Sequence, residues 1–330
     1  MSPLFALPLA LLAAPGPARA PVMPVTTYSI VARDPATGEL GVAVQSHYFS
    51  VGPIVPWAEP GVGAVATQSL VLVDYGPNGL ALMRDGMGAA AALDSLLRAD
   101  PNPDVRQVAM VDARGNVAAH TGRLSIPEAG HRTGHQYSVQ ANLMHRASVW
   151  PAMAEAYERA RGDLAERMLA ALEAAEREGG DIRGRQSAAL VVVRAEPSGR
   201  PWADRLYDLR VEDHPRPLEE LRRLVRLRRA YHASDAGDHA IAARRPDEAL
   251  RHYEEAARLA PEVVELQFWA ALSMYTNGRE AEGRDAFRRV FARQRRWAEL
   301  VPRLAKVGLF PDDAARLAEV AALASRSAPW

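Results

Sequence analysis

The 330-residue chain contains no cysteine. That absence removes disulfides, thiolate metal sites and a cysteine nucleophile together. Lysine is nearly as scarce: Lys306 is the only one among 40 basic residues, so any mechanism that needs an ammonium side chain has one address. An excess of charge is also lacking, since 40 acidic residues balance the basic ones. A net charge of zero gives no electrostatic reason to expect nucleic acid or an anionic membrane as partner; a small molecule or peptide fits better. No Walker-type phosphate loop occurs, and no GxGxxG follows a strand, so no cofactor is implied.

Long apolar runs are missing too. The longest candidate, Leu4 to Ala14, is shorter than the about 20 residues that span a bilayer. It is followed by a Pro/Gly break ending Ala18-Arg19-Ala20, the small-x-small pattern of a signal-peptidase site. Residues 1–20 are therefore expected to be a signal peptide of a secreted or periplasmic protein, with 21–26 as a short segment ahead of the first strand. No Lys or Arg precedes the apolar run, and an over-extended start codon before a cytoplasmic protein is the alternative.

What is present divides into two unlike halves. From Thr27 to about Arg210 the chain alternates β-type runs, among them TYSIVAR, LGVAVQS, RQVAMVD and SAALVVVR, bounded by Gly, Pro or Asp. Helical spacing covers Gly79 to Leu97 and Trp150 to Arg177. Short turns such as DPATGE and DARGN favour antiparallel sheets covered by helices. From about Pro215 nearly everything is helix-forming. There Arg245, Ala249 and Tyr253 recur 34 positions later as Arg279, Gly283 and Phe287, the period of tetratricopeptide-type helical hairpins. The expected division is 27–215 for an α+β domain and 216–330 for a helical one, the latter either a protein-binding arm or a lid on the first domain.

The first strand opens Thr26-Thr27. A hydroxyl becomes a useful nucleophile only beside a base, and a free α-amine titrates near about 7.7–8.0. A threonine at a chain start thus carries its own base. Alone this is weak, because threonine favours strands anyway.

Residues 27–224 resemble the bacterial family known as domain of unknown function 1028. The words that carry the resemblance include TYSIVARDPATGELGVAVQSHYFSVG, PWAEPGVGAVATQS, GHRTGHQYSVQANLM and DLRVEDHPRPLEELRRL. The resemblance implies a four-layer αββα sandwich like that of the N-terminal-nucleophile (Ntn) hydrolases, and it names no substrate. It also implies Thr27 as nucleophile of an amide-cleaving enzyme, which requires a cut directly before Thr27, since signal cleavage after Ala20 would leave PVMPVT in place. Lys306 lies outside the sandwich, so the lysine-assisted Ntn design is excluded and the Thr27 amine must be the base.

Candidates to support it are Gln45, Ser46 and His47, which a hairpin returns toward Thr27, and Thr67 with Gln68 at the end of a later strand. Asn142 is a candidate oxyanion donor. Arg183 and Arg185 could present two forks to a substrate carboxylate or pair with Asp181 and helix carboxylates instead. His120, His131, His135 and His145 fall close together, but GHRTGH reads as a loop with little acidic company; structural or substrate-facing roles suit them better than metal, and His120 is the substrate-binding candidate. A homo-oligomer is compatible with all of this. The competing reading is a non-catalytic sandwich that binds a ligand or protein with help from the helical tail.

Overall fold

A computed structural model describes residues 25–325. The expected signal peptide at 1–20 and most of the segment 21–26 lie outside the described residues. Ten strands and eleven α-helices follow in the described chain.

A hairpin comes first: β1 (Thr27–Arg33) and β2 (Leu40–Ser46) pair antiparallel with Thr27 opposite Ser46. Asp34 ties their turn by accepting the Ala36 and Thr37 N–H groups, the Asx device that makes DPATGE a turn. Then come β3 (Pro56–Glu59), β4 (Gly63–Ser69), α1 (Tyr75–Arg84), α2 (Ala89–Ala99), β5 (Arg106–Asp112), β6 (Val117–Thr121), β7 (Gly130–Gly134) and β8 (Tyr137–Ala141). The domain is completed by α3 (Val149–Arg159), α4 (Leu164–Arg177), β9 (Ser187–Val193), α5 (Pro201–Asp204) and β10 (Arg205–Val211).

The strands form two antiparallel sheets, one ordered β10-β9-β2-β1-β8-β7 and the other β3-β4-β5-β6. Helices α3 and α4 cover the larger sheet through Ile30, Val139, Met153, Leu169, Leu172 and Leu190. Helices α1 and α2 cover the smaller one through Val65, Leu80, Leu93, Val108 and Met110. Between the sheets lie Val31, Val42, Val44, Ala64, Ala66, Val111 and Val191. The chain is thus α+β, a four-layer αββα sandwich followed by helices.

Each long helical stretch expected from spacing divides in two. Gly86 (φ 97°) separates α1 from α2 and Gly162 (φ 105°) separates α3 from α4, and a left-handed residue cannot continue an α-helix. GHRTGH is not a loop: its first five residues are β7. Gly130 is there because a Cβ would stand 2.5 Å from the Trp150 ring, a packing demand that looks like turn composition in the sequence.

The helical half consists of α6 (Pro217–Ala242), α7 (Pro246–Leu259), α8 (Val264–Thr276), α9 (Glu280–Arg293), α10 (Val301–Ala305) and α11 (Ala314–Ser325). The 34-residue correspondence has a structural counterpart: Ala249 and Tyr253 are buried on α7 as Gly283 and Phe287 are on α9. Helix α6 belongs to both halves. Leu218, Leu221 and Val225 join the core under the larger sheet, while Ala230 packs with Ala256 and Leu266 of the tail. Arg222 and Arg229 of α6 clamp Glu166, Glu173 and Asp163 of the α4 region. Burial works against the charge on Asp163 and Glu166, but the arginine hydrogen bonds outweigh it and hold both carboxyls below their ordinary range.

Candidate active site at the head of the first strand

Side chains of a strand alternate between faces, and this decides which candidates meet. In β1, Tyr28, Ile30 and Ala32 enter the core under α3 and α4, whereas Val31 lies between the sheets. Thr27 and Ser29 therefore also point between the sheets. Ser46, directly opposite Thr27, shares its face. The Thr27 Oγ1 is 3.1 Å from Ser46 Oγ and 3.0 Å from the Val25 carbonyl, either of which can accept its proton.

Gln45 is opposite Tyr28 and so lies on the other face of the sheet, away from Thr27. On that face the Tyr28 hydroxyl donates to Glu176 Oε2 at 2.6 Å; burial first, then the Glu176 charge, push that phenol well above its usual value. Both polar atoms of the Gln45 amide are buried without a partner among the described residues. Thr67 is displaced in the same way. It faces outward and donates to the Leu72 carbonyl at 3.1 Å, while Gln68 points between the sheets.

Gln68 belongs to a buried polar layer at this end of the sandwich. Its Nε2 donates to the Thr27 carbonyl at 3.0 Å and to Gln107 Oε1 at 2.7 Å, and its Oε1 accepts from Ser29 Oγ at 2.7 Å. Gln107 donates onward to Thr121 Oγ1 and the Ala141 carbonyl, each at 2.9 Å. Asn142 meets Thr27 through its backbone, whose N–H donates to the Thr27 carbonyl at 3.1 Å. The side-chain Nδ2 is engaged with Gln107 Oε1 at 2.9 Å. Asn142 thus positions Thr27 in this arrangement and is not placed as an oxyanion donor.

Two other side chains point at the carbonyl directly before Thr27. The Thr26 carbonyl, the one directly before Thr27, accepts from Ser46 Oγ at 2.5 Å and from Arg183 Nη2 at 3.0 Å. Arg183 is held in position by Asp181, whose carboxylate accepts its Nη2 at 2.7 Å, its Nε at 3.1 Å and its backbone N–H at 2.9 Å. Asp181 also accepts the His47 backbone N–H at 3.3 Å. His47 contributes its backbone here; its ring Nδ1 is buried and unpartnered among the described residues. Arg185 pairs with Glu176 beneath Tyr28, so the two arginines divide their labour. Both have internal carboxylate partners, and only Arg183 also reaches the Thr27 neighbourhood.

His120 lies elsewhere, its Nε2 2.9 Å from the Pro103 carbonyl on the outer side of β6. The His131 Nδ1 lies 2.8 Å from Thr121 Oγ1, and burial and then the His120 charge lower its pKa. Among the described residues no group of three or more His, Asp or Glu side chains is placed to hold a metal ion.

Asp181 was the residue not anticipated as part of the site. A signal was present, since DIRGR places a carboxylate two residues before Arg183, but its burial and its contact with residues 26 and 47 are long-range facts. Ser69 and Leu143, which flank the site, adopt φ of 74° and 56°. Such left-handed non-glycine residues are costly and cluster at functional sites.

The αββα sandwich thus carries a threonine, two donors aimed at the carbonyl before it and a buried amide network at the head of its first strand. The chain belongs to the family of unknown function (DUF1028), whose model matches residues 27–221. It is similar to the crystal structure of a Silicibacter pomeroyi protein of the same family, with 31% identity and a TM-score of 0.54, over 61% of this chain and 88% of that one. No curated protein matches. The helices beyond α6 lie outside the matched family region.

Proposed function

We propose that the protein is an Ntn-type amidohydrolase or peptidase in which Thr27 is the nucleophile, and that the arrangement described above is its uncut form. The observation that carries this reading is the pair of donors on the Thr26 carbonyl. Ser46 and Arg183 polarise the one peptide bond whose opening would give Thr27 a free amine, and donors fixed where negative charge develops are the largest single aid to acyl transfer.

Opening that bond proceeds by acyl shift. Thr27 Oγ1 bonds to the Thr26 carbonyl carbon, the Thr26–Thr27 C–N bond breaks, and the hydroxyl proton ends on the departing nitrogen. Water then cleaves the resulting ester, leaving a carboxylate on Thr26 and a free hydroxyl and amine on Thr27. In the mature enzyme the same two donors hold a substrate amide carbonyl and the Thr27 amine serves as base. The substrate acyl group is transferred to Oγ1, the substrate amine leaves with the proton, and water releases the acid.

The test is intact mass of the full chain after purification, followed by an amide-hydrolysis screen. A mature chain beginning at Thr27, with Thr27→Ala remaining uncut and inactive, supports the proposal. A chain that keeps residue 26 attached and still hydrolyses amides removes it.

A second reading, a binding module in which the helical tail grips a partner, is favoured by a groove of about 890 Å³ lined by Tyr231, Asp238, Tyr253, Glu265 and Trp269. Tyr253 donates to Asp238 and Tyr231 to Glu265, so tyrosine hydroxyls rather than cations bond these carboxylates. A tail partner captured by wild type and lost with Trp269→Ala would support it.

A further inference from the structure

Thr27 is wholly buried, and the chain's own lead is buried with it. Val25 and Thr26 are 1% and 0% exposed. They are held as a ligand would be held. Val25 exchanges two backbone hydrogen bonds with Ser69, its N–H donating at 2.8 Å and its carbonyl accepting at 3.0 Å. This is an isolated antiparallel bridge between Val25, ahead of β1, and the last residue of β4. Ser69 itself has a left-handed backbone, with φ of 74°. The Val25 side chain enters the aliphatic core between the sheets. Thr26 has its carbonyl on Ser46 and Arg183, and its hydroxyl is 3.5 Å from the buried Asp181 carboxylate.

We infer that residues 25 and 26 mark the acyl-side subsites of the mature enzyme, and that its substrate is an extended peptide with an aliphatic residue followed by a small uncharged or hydroxyl-bearing residue at the attacked carbonyl. This deepens the reading of Thr27 as nucleophile and rests on it. The reason is geometric: the donors that polarise a carbonyl are fixed by β2 and by the loop that begins at Asp181, so a substrate carbonyl must sit where the Thr26 carbonyl sits. Whatever precedes that carbonyl then runs along the path Val25 takes. Backbone pairing with Ser69 gives sequence-tolerant affinity, as when a peptide adds to a sheet edge, and the side-chain pockets give selectivity. An acidic residue in the place of Thr26 would set its carboxylate against that of Asp181. A single acylated amino acid would lack the Ser69 pairing.

The test uses the self-processed chain, its start at Thr27 verified by intact mass, and four nitroanilides: acetyl-Val-Thr, acetyl-Thr, acetyl-Val-Asp, and acetyl-Val-Thr N-methylated at the valine nitrogen. The last removes one hydrogen bond to Ser69 without altering the protein. The expected result is a kcat/KM for acetyl-Val-Thr about tenfold or more above each of the others, tenfold being what one net hydrogen bond is worth. Hydrolysis of acetyl-Thr or the N-methyl peptide at an equal rate overturns the subsites and leaves Thr27 chemistry standing. A chain that is never cut before Thr27, or that is cut and hydrolyses none of the four or any other amide, overturns the catalytic reading and the subsites with it.

Discussion

The space between the two sheets is filled in two different ways. At one end it is hydrocarbon: Val31, Leu40, Val42, Val44, Val111, Val191 and Val193, all buried. At the other end the same strands present Thr27, Ser29, Ser46, Gln68, Gln107, Gln140 and Asn142, equally buried. The first end gains stability by removing apolar area from water. The second gains little, because a buried amide exchanges hydrogen bonds with water for hydrogen bonds with its neighbours and must satisfy nearly all of them. A fold that gives up part of its core to such a layer holds Thr27 by directed contacts, which fix orientation in a way that hydrocarbon packing does not. Stability and proposed chemistry thus occupy opposite ends of one pair of sheets.

Substitutions at the two ends should therefore separate. The largest effect is expected from Thr27→Ala: no cut before residue 27 and no amide hydrolysis, with the melting temperature little changed, read by intact mass and calorimetry. Next is Arg183→Ala. Removing one carbonyl donor should slow processing by about 10²–10³-fold, measured as the decay of the uncut mass with time. At the hydrocarbon end, Leu40→Ala should cost about 2–5 kcal/mol in urea unfolding and leave the processing rate of the folded fraction as it was. Gln107→Leu should cost about 1–3 kcal/mol for each buried partner left unpaired and, unlike Leu40→Ala, should also slow processing.

The smallest effect concerns the α4–α6 clamp. Asp163 and Glu166 have carboxyls held below their ordinary values. Their contribution is thus complete above the unfolded-state values and is lost as pH falls through the lowered folded-state ones. The urea midpoint of wild type should decline below about pH 4, and an Arg222→Ala/Arg229→Ala variant should decline less.

Much of this fold could be read from the residues. Alternation and turn residues located the main strands, and the Asp34 and Asp112 turns formed where DPATGE and DARGN indicated: Asp112 accepts the Arg114 and Asn116 N–H groups. The helix breaks at Gly86 and Gly162 were less legible, because Leu and Ala continue at helical spacing on both sides. The site was legible as a neighbourhood but not as a face. Gln45 and Thr67 lie at the same strand ends as Ser46 and Gln68, but a displacement of one residue along a strand moves a side chain to the opposite side of the sheet. Asn142 meets Thr27 through its backbone and Gln107 through its side chain, a division of contacts that the sequence does not encode. The pairing of Arg183 with Asp181 is local and was open to reading in DIRGR, whereas the reach of Arg183 to the Thr26 carbonyl is a contact across 157 positions that no local pattern encodes.

Helix α6 has a practical bearing on how the gene can be divided. A stop codon near position 215, where the composition changes, would strip Leu218, Leu221 and Val225 from beneath the larger sheet and leave a greasy scar on the truncated product. A cut after the fifth turn of that helix keeps these anchors with the sandwich, and the tail becomes an appendage grafted onto a spar that the sandwich already owns.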